Sequence, residues 1–362
     1  MLDAQEPTAK ELIGRFESML KESPSSKLDC SVTNYRPNLD YGLRIWSGYN
    51  LTLPARQFNL TGGEVTVTMF RVRPDDAPDG AKYFWGRAEL PNKPPAANLK
   101  RVEFTLAGGF LLGTGRYRVD WMMVDDKGRS CRSHWSLNAN SKDASPLTPP
   151  NTVEPISAEF WKGFSDKQVK PQRATIFLHA AAVQPRRYVA KLSAWDRQVL
   201  LSSLISLLRE AKFTSACVVV FDLERRQILF REPNFNERAM RRLARQLAGV
   251  DLSTISMDIL KSGPSGGPFL LDMLRQETKE GRPSDSFIFL GTTWRAGPKL
   301  PPAPEDLREA VPPTYFLAFT PPGGPLDTDS VSSLVKSLRG KVLSIRQPAD
   351  LAGAIRTLSN GH

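Results

Sequence analysis

The run Ala174-Thr-Ile-Phe-Leu-His-Ala-Ala-Ala-Val183 is apolar at nearly every position and is bounded by Arg173 and Gln184. A strand with one wet face alternates polar and apolar residues, whereas one covered on both faces does not. This run therefore predicts a central strand of a parallel sheet, with a helix following as its crossover. Ligands of open parallel sheets bind beyond the carboxyl ends of the strands. The residues after Leu178 are His179, Ala180, Ala181 and Ala182. One imidazole and three methyl groups supply neither oxygen ligands for a hard cation nor a nucleophile with its base, so no cofactor and no metal ion are expected here.

From Ala174 to the end, strand and helix patterns alternate. Strands are expected over 174–182, 215–222, 226–231, 285–291, 313–320 and 341–346, and helices over 193–211, 235–248, 268–280, 329–339 and 348–359. An irregular stretch is expected over 250–260. Alternation on this scale predicts a doubly wound, mostly parallel, Rossmann-like sheet with helices on both faces. The first part of the chain reads differently. Between Leu28 and Ala139 short runs rich in β-branched and aromatic residues are separated by Pro, Gly, Asn and Asp, with strands expected over 30–35, 43–53, 64–73, 81–90, 100–106, 116–125 and 130–138. Runs of this length and spacing predict an antiparallel β-sandwich, its clearest hairpin turning at Asp126-Lys-Gly128. Ahead of it, Leu12, Phe16, Met19 and Leu20 recur at helical spacing behind a Thr8/Glu11 capping box.

The fold class expected is thus all-β plus α/β. Residues 1–27 form an N-terminal helix segment, 28–140 a sandwich, 141–172 a Pro-rich linker and 173–362 the α/β domain. Within the linker, Phe160, Trp161 and Phe164 are apolar enough to be covered. A chain of 362 residues is long for one domain, which agrees with this division. No stretch approaches the roughly 18 uninterrupted apolar residues of a membrane span.

Two segments resemble known families. The hairpin with Gly115, Tyr117, Val119, Asp125 and Gly128 is similar to the last hairpin of bacterial immunoglobulin-like or fibronectin-like modules. The order of elements from Ala174 to Leu358 is similar to a von Willebrand factor A domain. The likeness rests on Ala216 to Phe230, on Gly263-Pro-Ser-Gly-Gly-Pro268 before a helix, on Ser286 to Trp294, and on Gly340 to Ile355. Metal-binding members of that family carry Asp-x-Ser-x-Ser after the first strand, a Thr in the second loop and an Asp after the fourth strand. Here those stations read His179-Ala-Ala-Ala-Val183, Pro268 and Gly291-Thr-Thr293. The resemblance implies a binding module without the adhesion-type metal site.

His179 reads as a buried, hydrogen-bonded histidine lining the crevice or as a ligand contact. Gly263 to Gly267 lacks the Gly-Lys-Ser/Thr ending of a phosphate loop. Residues 225–245 hold seven arginines, and the net charge is +11. Without interleaved exposed aromatics this run reads as a solvated face, and a nucleic-acid partner is not expected. The loops expected to meet a protein partner contain His179, Gln184, Ser265, Thr292, Thr293, Trp294 and Arg295. Cys30 and Cys131 stand at the two ends of the sandwich segment and are open to two readings, a disulfide or two free thiols. A bridge would favour an exported protein, and the Met1-Leu-Asp-Ala start is compatible with a mature form as well as a cytoplasmic one. The function expected is non-enzymatic protein binding. The alternatives are an intracellular scaffold subunit, and a hydrolase or nucleotide-binding enzyme using the α/β crevice.

Overall fold

The computed structural model describes residues 9–22, 26–60, 63–91, 102–141, 143, 148–156, 161, 163–164, 172–183, 192–211, 213–249, 266–279, 283–293, 300–320 and 329–360. The chain divides into two compact units, one of Met1–Asp40 and Arg44–Ser157, the other of Tyr41–Leu43 and Ala158–His362. It is of mixed class, with two antiparallel sheets in the first unit and a six-stranded, mostly parallel sheet in the second. Among the described residues no helix is long and apolar enough to cross a membrane.

The first unit opens with helix α1 (Ala9–Lys21). Seven longer strands follow, β1 (Ser31–Leu39), β2 (Ile45–Pro54), β3 (Val65–Pro74), β4 (Lys82–Glu89), β5 (Glu103–Leu112), β6 (Gly115–Asp125) and β7 (Ser130–Ala139), and then a short β8 (Val153–Pro155). They pair antiparallel in two sheets, β1-β2-β5-β8 and β4-β3-β6-β7. Alternate residues of both, among them Leu51, Leu53, Phe70, Val72, Phe110, Val119 and Trp121, meet in one core. The opposite face of the second sheet is covered by α1, where Phe16 packs with Met69 and Met122. Beside that contact Arg71 bridges Glu17 of α1 at 2.6 Å and Asp120 of β6 at 2.7 Å.

Two local features differ from the sequence expectation. Strand β5 runs to Leu112 instead of stopping at 106, because Gly108 and Gly109 are places of close approach and not breaks. A Cβ on Gly108 would meet the Tyr49 ring at 2.6–2.7 Å, and one on Gly109 the Trp46 indole nitrogen at 2.7 Å. Part of the Pro-rich stretch read as linker is strand β8, whose Val153 pairs with Leu112. Tyr117 holds this corner together. Its buried hydroxyl donates to Gly113 O at 2.9 Å and lies 3.1 Å from Thr152 O, and burial pushes its pKa up to about 12. Cys30 and Cys131 are disulfide-bonded, 101 residues apart in sequence.

In the second unit the elements are β9 (Arg173–His179), α2 (Ala194–Glu210), β10 (Ser215–Asp222), β11 (Gln227–Glu232), α3 (Glu237–Ala248), α4 (Gly267–Lys279), β12 (Ser286–Thr292), α5 (Glu305–Ala310), β13 (Thr314–Phe319), α6 (Ser330–Ser337), β14 (Lys341–Ile345) and α7 (Pro348–Asn360). The sheet order is β11-β10-β9-β12-β13-β14, with β11 antiparallel to β10 and the remaining pairs parallel. Six of the seven residues of β9 and all seven of β12 are buried, as strands covered on both faces must be. One face sets Phe177, Phe221, Phe289 and Phe316 against Leu270, Met273, Leu307 and Leu334. Helix α2 starts on a capping box in which Ser193 and Asp196 satisfy each other's backbone N–H, an arrangement worth about 1 kcal/mol. Helix α5 has no counterpart in the sequence reading. The capping Thr8, the stretch 250–260 and Phe160 lie outside the described residues, while Trp161 is buried with its ring stacked on Phe235.

Candidate functional site at the carboxyl ends of β9 and β12

In this sheet the chain leaves β9 towards β10 on one side, whereas it leaves β12 towards β13 on the other. The two crossovers part above the β9/β12 pair, which is where open α/β sheets form their ligand crevice. His179 and Thr292, the last residues of these strands, stand at this switch point. The two backbones approach closely here: a Cβ on Gly291, whose φ is +155°, would lie 2.6 Å from His179 Cβ. Only glycine fits such a position without strain.

His179 is 2% exposed, and its ring stacks on Phe221 with centroids 5.0 Å apart. Nδ1 lies 3.4 Å from the Thr292 carbonyl oxygen. In the tautomer that donates this bond, Nε2 is an acceptor, and it is buried with no hydrogen-bond partner among the described residues. Desolvation lowers the pKa to about 4, with the Thr292 carbonyl pulling the other way. The ring is therefore neutral at pH 7, with its one N–H turned to the Thr292 carbonyl and Nε2 left as an acceptor.

Apart from Nε2, several polar groups around this point are paired within the fold. Ala180 N–H donates to Phe221 O at 2.8 Å and Ala181 N–H to His179 O at 2.9 Å. Asp196, fully buried, receives Val183 N–H at 3.0 Å on one oxygen and Ser193 N–H at 3.1 Å on the other, tying the segment after β9 to the first turn of α2. Thr293 N–H donates to Phe319 O at 3.3 Å, and the Thr320 hydroxyl shares a 3.0 Å hydrogen bond with Ser344. Among the described residues no group of three or more His, Cys, Asp or Glu is placed to hold a metal ion.

Of the residues expected to meet a partner, the described ones are His179, Thr292 and Thr293. His179 and Thr292 are buried at 2% and 0% exposure, so neither side chain is presented to a partner, because each closes a strand covered on both faces. Thr293 is half-buried. Gln184, Ser265, Trp294 and Arg295 lie outside the described residues. Sequence reasoning passed over Asp222, the buried last residue of β10. It receives Arg225 N–H at 3.1 Å and lies 3.7 Å from the Arg225 guanidinium, and burial raises its pKa against the pull of that arginine. An Asp closing an apolar run ahead of Leu-Glu-Arg-Arg was the available signal. Its use is to shape the β10–β11 turn, in which Arg226 takes a φ of 53°.

No family model matches the chain, and no curated protein matches it. Among solved structures it is similar to the ApaA protein from Bordetella pertussis over 33% of this chain and 100% of that one, at 12% identity and a TM-score of 0.21. It is also similar to a glycosyl hydrolase family 2 member from Bacteroides cellulosilyticus over 80% of this chain and 36% of that one, at 13% identity and a TM-score of 0.19. Likeness at this level carries no argument about function.

Proposed function

We propose that this chain is a non-enzymatic, exported binding protein. In this reading the second unit is a von Willebrand factor A-like domain without an adhesion-type metal site, and the first is an immunoglobulin-like sandwich. The observation that carries the functional part is the content of the switch point, where a neutral buried imidazole and buried alanines stand in place of oxygen ligands. The strand order with its antiparallel edge strand supports the domain type. For the sandwich, support comes from the Tyr117 corner, a feature shared by immunoglobulin-like domains. The disulfide departs from the antibody pattern, since it ties the segment before β1 to edge strand β7. A structural disulfide in turn favours an oxidising compartment.

A protein partner would meet the loops beyond the carboxyl ends, through Thr293 with Gln184, Ser265, Trp294 and Arg295. The test places a photo-crosslinking amino acid at position 293 in the native producer and, as a control, at Lys341, which is exposed at the opposite end of the sheet. A protein captured from position 293 and not from 341 is the expected result. Its binding should weaken by at least ~2 kcal/mol in Trp294→Ala at unchanged melting temperature. Identical capture from both positions rejects the reading, and so does saturable stabilisation of the second unit by millimolar Mg²⁺ or Mn²⁺.

A further inference from the structure

Among the described residues the two sandwich sheets have four edge strands, and in three of them the backbone itself is blocked against further pairing. Strand β1 contains Pro37 and shifts register between Tyr35 and Asn38. β8 is only three residues long and ends on Pro155. On β7, Leu28 N–H donates to Ser130 O, Ser130 N–H returns a bond to Ser26 O, and the disulfide reaches Cys131. Strand β4 differs. It pairs with β3 without a bulge from Lys82 to Glu89, holds no proline, and among the described residues has no strand on its other side.

Its side chains are divided between two faces. Phe84, Gly86 and Ala88 lie opposite Phe70, Thr68 and Thr66 on the core side, where Phe84 stacks on Phe70. Tyr83, Trp85, Arg87 and Glu89 lie opposite Arg71, Met69, Val67 and Val65 on the side of α1. Trp85 is 60% exposed, the largest value for a large apolar side chain among the described residues, and flanks an apolar groove of about 140 Å³ that also touches Leu12, Phe16 and Tyr83. The charges of Lys82, Arg87 and Glu89 would oppose an arbitrary strand. A second β4 is different. Directly opposed residues of antiparallel strands share a face, so only registers that keep the faces in step are allowed. Antiparallel pairing centred on Gly86 sets Trp85 against Arg87 of the second copy, a cation–π pair made twice about the axis, while the Tyr83 hydroxyl stays on Glu17 of its own chain at 2.8 Å. On the core side Phe84 then faces Ala88, and Gly86 faces its own equivalent.

We propose that β4 is a self-association edge, through which two copies of this chain join antiparallel about a two-fold axis at Gly86 and merge two four-stranded sheets into one. The occupant is a second copy because this register sets the exposed Trp85 ring of each strand against the Arg87 cation of the other.

The test uses the full chain. Sedimentation up to ~100 μM, a range in which a small interface is populated, should show a reversible monomer–dimer equilibrium. Trp85→Lys should weaken it by at least about tenfold without lowering the melting temperature, since the side chain stands mostly in solvent. A Cβ on Gly86 meets nothing within 4 Å, so Gly86→Cys is accommodated. The chain's own cysteines are bonded or buried, so a short bis-maleimide should join two copies only through position 86. Lys341→Cys is the control and should stay monomeric under the same treatment. A wild-type chain that remains monomeric throughout, a dimer indifferent to Trp85→Lys, or equal crosslinking from positions 86 and 341 overturns the proposal. Binding of a foreign strand to β4 in a chain that never dimerises overturns it as well.

Discussion

The imidazole of His179 and the ring of Phe221 lie nearly parallel, 10° apart in plane and 5.0 Å between centroids, across neighbouring parallel strands. The stack buries a titratable group in an aromatic core, and the cost falls on its charged form. In an unfolded chain a histidine titrates near 6.5, whereas here it titrates at about 4. The unfolded state therefore takes up the proton first. The stabilisation from keeping His179 neutral is complete above pH ~6.5 and is lost as the pH falls from there to about 4, with a total of roughly 3 kcal/mol. Urea unfolding of the second unit at pH 7.5 and pH 4.5 should show the loss. His179→Phe, which keeps a ring on Phe221, should flatten it. A pH profile unchanged by the substitution would assign the loss to other groups.

The disulfide closes a loop of 101 residues, for which the chain-entropy model gives about 4 to 5 kcal/mol of stability. Reduction should lower the unfolding midpoint of the sandwich and leave that of the second unit in place. Intact-mass analysis before and after reduction, with a gain of two hydrogens, confirms the bridge in the isolated protein.

Tyr117→Phe removes one hydroxyl from the corner and leaves the Gly113 carbonyl without its donor. A buried acceptor so orphaned costs about 1 to 3 kcal/mol. The expected result is a sandwich destabilised by that amount with unchanged far-UV circular dichroism. Stability equal to wild type would mean that water replaces the hydroxyl.

Towards the amino-terminal end of the parallel sheet, Arg231 meets Glu277 through two hydrogen bonds, 2.6 and 3.2 Å, and the Glu277 side chain is 2% exposed. Arg231 itself is exposed, but Arg231→Met leaves the buried Glu277 carboxylate without this partner and should cost about 1 to 3 kcal/mol. Substituting both partners by apolar residues should recover much of the loss. Cys217 lies beside them, its Sγ 3.7 Å from Glu277, and burial followed by that carboxylate pushes its pKa up to about 12. Iodoacetamide at pH 8 should leave Cys217 unmodified in the native protein and label it fully in urea.

The parallel sheet was legible in the sequence because burial on both faces writes itself as unbroken apolar runs, such as Ala216 to Phe221 and Phe287 to Leu290. Shorter elements left no such trace. Strand β8 is three residues ending in proline, and α5 is six residues behind Pro304, lengths over which no period is detectable. The strand expected over 100–106 runs on through Gly108 and Gly109, because a glycine that breaks a strand and one that admits a neighbouring ring look alike in one dimension. At the switch point, the residue types pointed to His179, but its environment comes from Phe221 and Thr292, which only the folded sheet brings alongside. Asp196 is the converse case. Its place three residues after Ser193 signals a helix cap, yet its hold on Val183 N–H is a tertiary contact that the helix signal does not contain.

The bond between Cys30 and Cys131 also has a topological consequence. Strands β1 to β6 lie wholly inside the covalent ring it closes. A protease that cuts once anywhere between the two cysteines releases nothing: both pieces stay tied, and the mass rises by a single water. Under oxidising conditions the sandwich can thus be nicked without shedding a fragment, and only a reductant turns the cut into two chains.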